Sequence, residues 1–175
     1  MSVKKNNLHF ITSAAVIAAI YAALTFLGNF FGLSYGPIQV RFSEALTVLP
    51  LFTPAAIPGL TIGCFIANIG SFNLLDMIFG TFATFIASVL TYLLRNIKFK
   101  KLPLLPILPP VIINAVIIGL EIAFFFLPEG FTFYGFLLSG AQVGVGQLIA
   151  CYGLGLPLYF TLRNKKFSKT KIFKV

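Results

Sequence analysis

The sequence predicts an all-α integral membrane protein with six transmembrane helices and both termini in the cytoplasm. Composition is the first reason: 58% of the 175 residues are hydrophobic and only 10% are charged, whereas about a quarter of the residues in a soluble domain are charged. The second reason is a mean hydropathy of +0.97, which means that most of the chain must face lipid or other apolar helices. We therefore expect residues 1–175 to form a single six-helix domain in the cell membrane.

The basic residues are clustered between the apolar runs, which is the third observation. The segments Lys4–Lys5, Arg95–Lys101 and Arg163–Lys174 contain twelve of the thirteen lysine and arginine residues. Clusters of this kind mark the cytoplasmic loops of membrane proteins. Six crossings bring all three clusters to the same side of the membrane, whereas five crossings do not. The clusters lack the interleaved aromatic residues of a nucleic-acid groove, so the net charge of +9 does not indicate a nucleic-acid partner.

The first predicted helix, His9–Leu27, is long enough to cross a hydrocarbon core of about 30 Å. No small-residue cleavage site stands out near it, so we expect a retained helix and not a signal peptide. Alanines on this helix lie in two rows at four-residue spacing, which lets another helix approach closely. The rows are Ala14, Ala18 and Ala22, and Ala15, Ala19 and Ala23. The first row is predicted either to pack inside the protein or to dock a partner.

A glycine-rich loop follows, with Tyr35 and Gln39 as its polar side chains. Two short helices come next, Phe42–Ala55 and Ala56–Gly70, each adequate to cross the membrane if tilted. Prolines at four-residue spacing mark this pair and the turn within it: Pro50, Pro54 and Pro58. The polar ends of the pair therefore return to the same side of the membrane.

Three further helices complete the chain. They are predicted over Leu74–Leu94, Pro110–Leu127 and Tyr134–Leu162, the last long enough to be tilted. The charges and prolines after Leu94 end the first of these helices. With cytoplasmic termini, the loops assigned to the outside are Gly28–Arg41, Gly70–Asn73 and Pro128–Phe133.

Polar side chains inside apolar runs are costly and usually mark a site. At 1.5 Å per residue along the predicted helices, Glu44, Asn68 and Asp76 lie within about 5 Å of the outer boundary. Glu121 lies about 9 Å below that boundary, and Gln142 roughly 10–12 Å below it. We therefore predict a site for a small polar ligand in the outer half of the protein. Its candidate residues are Glu121, Glu44, Arg41, Asn68, Asp76, Gln142, Tyr35 and Gln39.

Other interpretations of these residues remain open. Arg41 and Glu44 are three residues apart, so they could form a helical ion pair. Asn68 and Asp76 could cap the turn between their helices. Glu121 has no partner nearby in the sequence, and this favours a role in the site because an unpaired carboxylate in hydrocarbon is expensive.

Two deeper polar residues, Asn114 and Gln147, are predicted near the midplane. Gln142 and Gln147 belong to the glycine-rich segment SGAQVGVGQ. Hydrogen bonding between helices and contact with a ligand are both open for these two glutamines.

The residues needed for several kinds of chemistry are missing from the sequence. It contains one histidine and no phosphate-binding loop with its lysine. Cys64 and Cys151 have no histidine or cysteine at ligand spacing, so neither a metal site nor a disulfide is indicated. The sequence therefore favours a protein that is not an enzyme and needs no cofactor.

Three segments resemble the queuosine-precursor transporter (QueT) family: GPIQVRFSEALTVLPLF, PAAIPGLTIGCFIAN and DMIFGTFAT. The resemblance spans nearly the whole chain. It implies an S component of an energy-coupling-factor importer, which captures a 7-deazaguanine-type base outside the cell. It further implies association with a transmembrane coupling subunit and two cytoplasmic ATPase subunits, with Ala14, Ala18 and Ala22 as the docking row.

Other functions remain open beside this resemblance. The shape of an apolar pocket is invisible in sequence, so another vitamin or a purine-like micronutrient could be the ligand. A structural membrane subunit without a ligand is the alternative from a different class. A saturable, tightly bound ligand would separate that subunit from a transporter.

Overall fold

The computed structural model describes residues 2–32, 40–69, 74–97, 99 and 102–164. Tyr35 and Gln39 lie outside the described residues, as does the predicted turn at 70–73. The described chain is helical apart from short connections and an isolated antiparallel bridge between Phe99 and Leu102. Its α-helices are α1 (Ser2–Phe30), α2 (Ala56–Ile69), α3 (Leu74–Leu93), α4 (Leu104–Phe125), α5 (Phe133–Leu148) and α6 (Gly155–Arg163). The all-α prediction is confirmed.

Four helical runs are long and apolar enough to cross a membrane. They are Asn7–Phe30, Leu74–Asn96, Leu104–Phe125 and Phe133–Arg163. The last run joins α5 to α6 through a π-helical stretch, Ile149–Leu154, and corresponds to the single long helix predicted there. The orientation of the termini stays a prediction.

The predicted pair of short helices is present, but the two helices differ in kind. Phe42–Leu51 is a 3-10 helix and Ala56–Ile69 is α-helical. At about 2.0 Å and 1.5 Å per residue, they rise about 20 Å and 21 Å, less than the thickness of a hydrocarbon core. Pro50 lies inside the 3-10 helix, which is almost wholly buried. The 3-10 helix is therefore enclosed by the other helices, whereas α2 keeps an exposed apolar face that includes Ile62 and Phe65.

Helix α4 begins at Leu104, six residues before the predicted start at Pro110. Pro106 precedes the predicted start, yet it lies in the first turn of α4, where backbone N–H groups have no partner within the helix. Pro109 and Pro110 follow within the same helix, and both are buried. Tertiary packing here overrides the local preference of proline.

Helices α1 and α2 pack with their backbones very close together. A Cβ atom added at Gly59 would lie 2.8 Å from the carbonyl oxygen of Ala14, and one at Gly63 would lie 2.9 Å from that of Ala18. Ala14, Ala18 and Ala22 are all buried. The docking assignment of this row does not fit the fold, because α2 already covers it. The parallel row is exposed: Ala15, Ala19 and Ala23.

Candidate ligand site

Three of the four acidic residues lie together around one arginine. Glu44 is in the first turn of the 3-10 helix, Asp76 is in the first turn of α3, and Glu121 is near the end of α4. Arg41 precedes the 3-10 helix and interacts electrostatically with all three carboxyl groups. The fourth acid, Glu129, is exposed. The fold thus gathers charges from three separate elements into one cluster, which we call the charged cluster.

Glu44 is 2% exposed and points toward α1, where its Oε1 accepts a hydrogen bond from the Tyr21 hydroxyl. Its backbone oxygen accepts the Thr47 hydroxyl at 2.6 Å. The Gln147 side chain interacts with the same carboxyl group, yet Oε2 has no hydrogen-bond partner at ordinary geometry among the described residues. Glu44 therefore has one anchored oxygen and one available oxygen.

Arg41 is the N-cap of the 3-10 helix, with an extended backbone at φ −92° and ψ 112°, and its carbonyl oxygen accepts the Glu44 N–H at 3.1 Å. The ion pair between the two side chains stays a prediction. Arg41 Nη1 donates to Asn68 Oδ1 at 3.5 Å. Asn68 Nδ2 donates to the Asp76 backbone oxygen at 2.9 Å, which links α2 to α3. The Asn68 side chain therefore has a structural role, because its nitrogen joins α2 to α3 and its oxygen accepts a hydrogen bond from Arg41.

A glycine makes room for this amide. A Cβ atom at Gly80 would lie 2.8 Å from Asn68 Nδ2. Cys64 contributes to the same layer, because its Sγ accepts from Thr84 Oγ1 at 3.3 Å. Both side chains are buried. The cysteine is therefore a packing residue that also accepts a hydrogen bond.

Glu121 is also 2% exposed. Its side chain interacts with Asp76 and Arg41, but neither carboxyl oxygen has a hydrogen-bond partner at ordinary geometry within the described part of the chain. A buried carboxylate normally has several donors, because an unsatisfied one loses its hydration without replacement. Glu121 is thus the least satisfied polar group of the charged cluster.

A small cavity of about 30 Å³ adjoins Arg41 between α4 and α5. Asn114 and Ile118 line it from α4, and Val143 and Gln147 from α5. Asn114, Ile118 and Glu121 are spaced by four and three residues, so they share one face of α4. The volume is room for about two water molecules.

The residues predicted for the site do not include Asn114, which depth counting places near the midplane, and for Gln147 the sequence leaves contact with a ligand open. The spacing of Asn114 and Glu121 is the signal that could have identified the shared face. Gln142 is half-buried and is not among the residues that line the cavity. Tyr21 was also missed, since nothing in the sequence indicates that α1 turns it toward Glu44.

The π-helical stretch carries a second buried cysteine into this region. Cys151 Sγ lies 3.5 Å from Thr47 Oγ1 and 3.5 Å from Gln147 Oε1. This contact joins the last long helical run to the 3-10 helix beside Glu44. Within the described ranges, no group of three or more histidine, cysteine, aspartate or glutamate side chains is arranged to hold a metal ion.

The family model described as QueT transporter matches residues 11–164. A curated relative, the queuosine precursor transporter QueT of Lactococcus lactis subsp. cremoris (strain MG1363), is 42% identical over 77 residues, which cover 44% of this chain and 46% of the relative. The chain thus aligns with less than half the length of that relative. No solved structure matches the chain. With four long apolar helices, it is a multi-pass membrane protein, and it belongs to the QueT transporter family.

Proposed function

We propose that this protein is the substrate-binding S component of an energy-coupling-factor importer and that it captures a queuosine precursor, a 7-deazaguanine-type base, on the outer side of the membrane. Membership of the QueT transporter family and the name of the Lactococcus relative support the ligand class. The charged cluster is the observation that carries the proposal.

The charged cluster is expensive in a protein this apolar. Removing a charged group from water costs several kcal/mol, and only complete pairing offsets that cost. Pairing is incomplete among the described residues, because two carboxyl oxygens of Glu121 and one of Glu44 have no hydrogen-bond partner there at ordinary geometry. Unused acceptors beside a cavity are expected where a ligand supplies the donors.

A guanine-like base presents adjacent N–H donors on one edge. A carboxylate can accept both, and such charge-assisted pairs are strong and directional. Glu121 is the first candidate for this edge because both of its oxygens are available. Glu44 is the second candidate, since Tyr21 already occupies one oxygen. Asp76 interacts with Glu121, and its negative charge favours binding of the edge of the base that carries the N–H donors.

The carbonyl group on the same base needs a donor. Arg41 and Gln147 line the cavity and carry suitable N–H groups. Asn114 also lines it, but its Nδ2 already donates to the Pro110 backbone oxygen at 2.8 Å, which leaves one N–H of that amide. Asn68 is a weaker candidate than the sequence indicated, because its amide nitrogen already donates to α3. Gln142, which is half-buried on α5, remains a predicted contact of the ligand.

The predicted loop residues Tyr35 and Gln39 remain candidates for covering the base from outside. An aromatic ring such as that of Tyr35 can lie over the flat apolar face of a bicyclic base. The cavity of about 30 Å³ is much smaller than such a ligand, so we expect its walls to separate when the base enters.

Energy for transport is proposed to come from partner proteins, a transmembrane coupling subunit and two cytoplasmic ATPase subunits. The sequence has no phosphate-binding loop of its own. The coupling subunit is proposed to dock on the exposed row of α1 and not on the buried row. The exposed row consists of Ala15, Ala19 and Ala23. Small side chains on an exposed membrane helix allow a partner helix to approach closely.

Paired substitutions test this docking face. Ala19→Leu adds bulk to the exposed row, so it should prevent assembly with the coupling subunit while the solitary protein still binds its ligand. Ala18→Leu adds the same bulk against α2, so it should destabilise the fold by about 1–3 kcal/mol. Copurification of tagged subunits measures assembly. Normal assembly of Ala19→Leu would move the docking face elsewhere.

Ligand binding is tested on the detergent-purified protein. Mass spectrometry of copurifying small molecules identifies what it carries, and calorimetry measures binding of a 7-deazaguanine base. Adenine is the matched control, because its edge lacks the paired N–H donors of guanine. We expect saturable binding of the deazaguanine and none of adenine. Equal binding of both bases, or of neither, would reject the proposed recognition.

A further inference from the structure

An apolar groove runs along the surface at the start of α4, at the opposite end of that helix from Glu121. Its wider part has a volume of about 450 Å³ and is lined by Ile97, Phe99, Leu104, Leu105, Leu108 and Tyr152. A narrower part of about 200 Å³ continues between α3 and α4 past Pro109 and Ile112. Leu105 and Leu108 line both parts, so the two form one continuous groove.

The groove is open on the outer surface of the helices. Phe99, Leu105 and Ile112 are all exposed. Its one polar side chain, Tyr152, donates its hydroxyl to the Leu104 backbone oxygen at 2.7 Å, which leaves no free O–H in the groove. A polar ligand therefore has little to bind there, whereas a hydrocarbon chain can fill the groove.

The length of the groove matches half of a bilayer. From Leu104 to Ile113, α4 rises about 14 Å at 1.5 Å per residue. The hydrocarbon core of a bilayer is about 30 Å thick, so one leaflet contributes about 15 Å. One acyl chain therefore spans the groove from the membrane surface to the midplane.

Arg95 adjoins the groove in the sequence, at the end where α4 begins. Arg95 stands in the sequence between Leu94 and Ile97, which line its two parts. Its guanidinium lies 3.8 Å from the centroid of the Tyr92 ring, and Nη1 donates to the Tyr92 backbone oxygen at 2.8 Å. A guanidinium has five N–H groups, so others can reach an anion. The adjoining segment adds three lysines to the local charge of the sequence.

We infer that this groove is a binding site for an anionic phospholipid, with an acyl chain along α4 and the phosphate of the headgroup near Arg95. Basic residues beside membrane helices attract anionic headgroups, and a concave apolar surface retains the chain. The site is separate from the charged cluster, so it does not depend on the proposed ligand.

Native mass spectrometry of the detergent-purified protein tests the inference. The protein is mixed with equal amounts of phosphatidylglycerol and phosphatidylcholine that carry the same acyl chains. We expect one phosphatidylglycerol molecule to be retained in preference. Arg95→Gln should weaken that retention about fivefold, which is the usual contribution of one basic residue near a membrane surface. Arg163→Gln removes an arginine that follows α6 and does not adjoin the groove-lining residues Leu94 and Ile97 in the sequence, so it should leave retention unchanged.

A second variant tests the acyl-chain part of the site. Leu105→Trp fills the region shared by both parts of the groove and should reduce retention of both lipids. Ile78→Trp is the control, because Ile78 is exposed on α3 and does not line the groove. Equal retention of the two lipids would overturn the inference, as would indistinguishable effects of Arg95→Gln and Arg163→Gln. Glycerol 3-phosphate that competes as well as the intact lipid would also overturn it, because the groove would then contribute nothing.

Discussion

Replacing Glu121 by glutamine removes one charge at nearly constant volume and changes ligand affinity and protein stability in opposite directions. Both carboxyl oxygens are buried, and neither has a hydrogen-bond partner at ordinary geometry in the part of the chain that the structure describes, so a ligand can use two acceptors. Glutamine keeps one acceptor and presents an amide N–H where the second ligand donor must lie. The substitution therefore removes at least one charge-assisted hydrogen bond.

The size of the effect follows from that loss. A hydrogen bond to a charged group contributes about 1.5–3 kcal/mol. We expect affinity for a 7-deazaguanine base to fall at least tenfold, about 1.4 kcal/mol. The ligand-free protein should be as stable as the parent or more stable, because an incompletely paired buried carboxylate no longer has to be desolvated.

Calorimetry measures the affinity, and thermal unfolding in detergent measures the stability. Glu129→Gln is the matched control, since Glu129 is an exposed acid shortly after α4. It should change neither quantity. An affinity within twofold of the parent would remove Glu121 from the site. A parallel fall in affinity and stability would show that Glu121 supports the fold and does not bind the ligand.

Three other predictions follow from the packing and the charge distribution. Gly63→Ala should lower stability by about 1–3 kcal/mol, because its Cβ would lie 2.9 Å from a backbone oxygen of α1; Gly153→Ala, with no heavy atom within 4 Å, should be neutral in the same unfolding assay. Tyr21→Phe leaves a buried carboxyl oxygen without its donor, so it should cost about 1–3 kcal/mol, and an unchanged unfolding temperature would contradict this. A cysteine at Lys100 should be protected from impermeant reagents in intact cells while one at Glu129 reacts; the reverse pattern would invert the predicted topology.

The candidate site could be predicted in part. Glu121 was identified because a lone carboxylate in an apolar run has no other ready explanation. Its proximity to Arg41 could not be derived, since 80 residues and several turns separate them. The same holds for Tyr21 and Glu44, which meet through the packing of α1 against the 3-10 helix. Depth counting could not connect Asn114 with the site, because it does not say which face of a helix turns inward.

The sequence by itself determined the membrane class, the order of the helices and the positions of most turns, because these depend on local hydropathy, proline and charge. Only the tertiary structure decided which alanine row of α1 is buried. Both rows have the same spacing and the same residue type, so the alanines themselves do not mark the inner face of α1. In a membrane, lipid-facing and protein-facing surfaces are both apolar. Helix rotation is therefore set by close packing, here by Gly59 and Gly63 against Ala14 and Ala18.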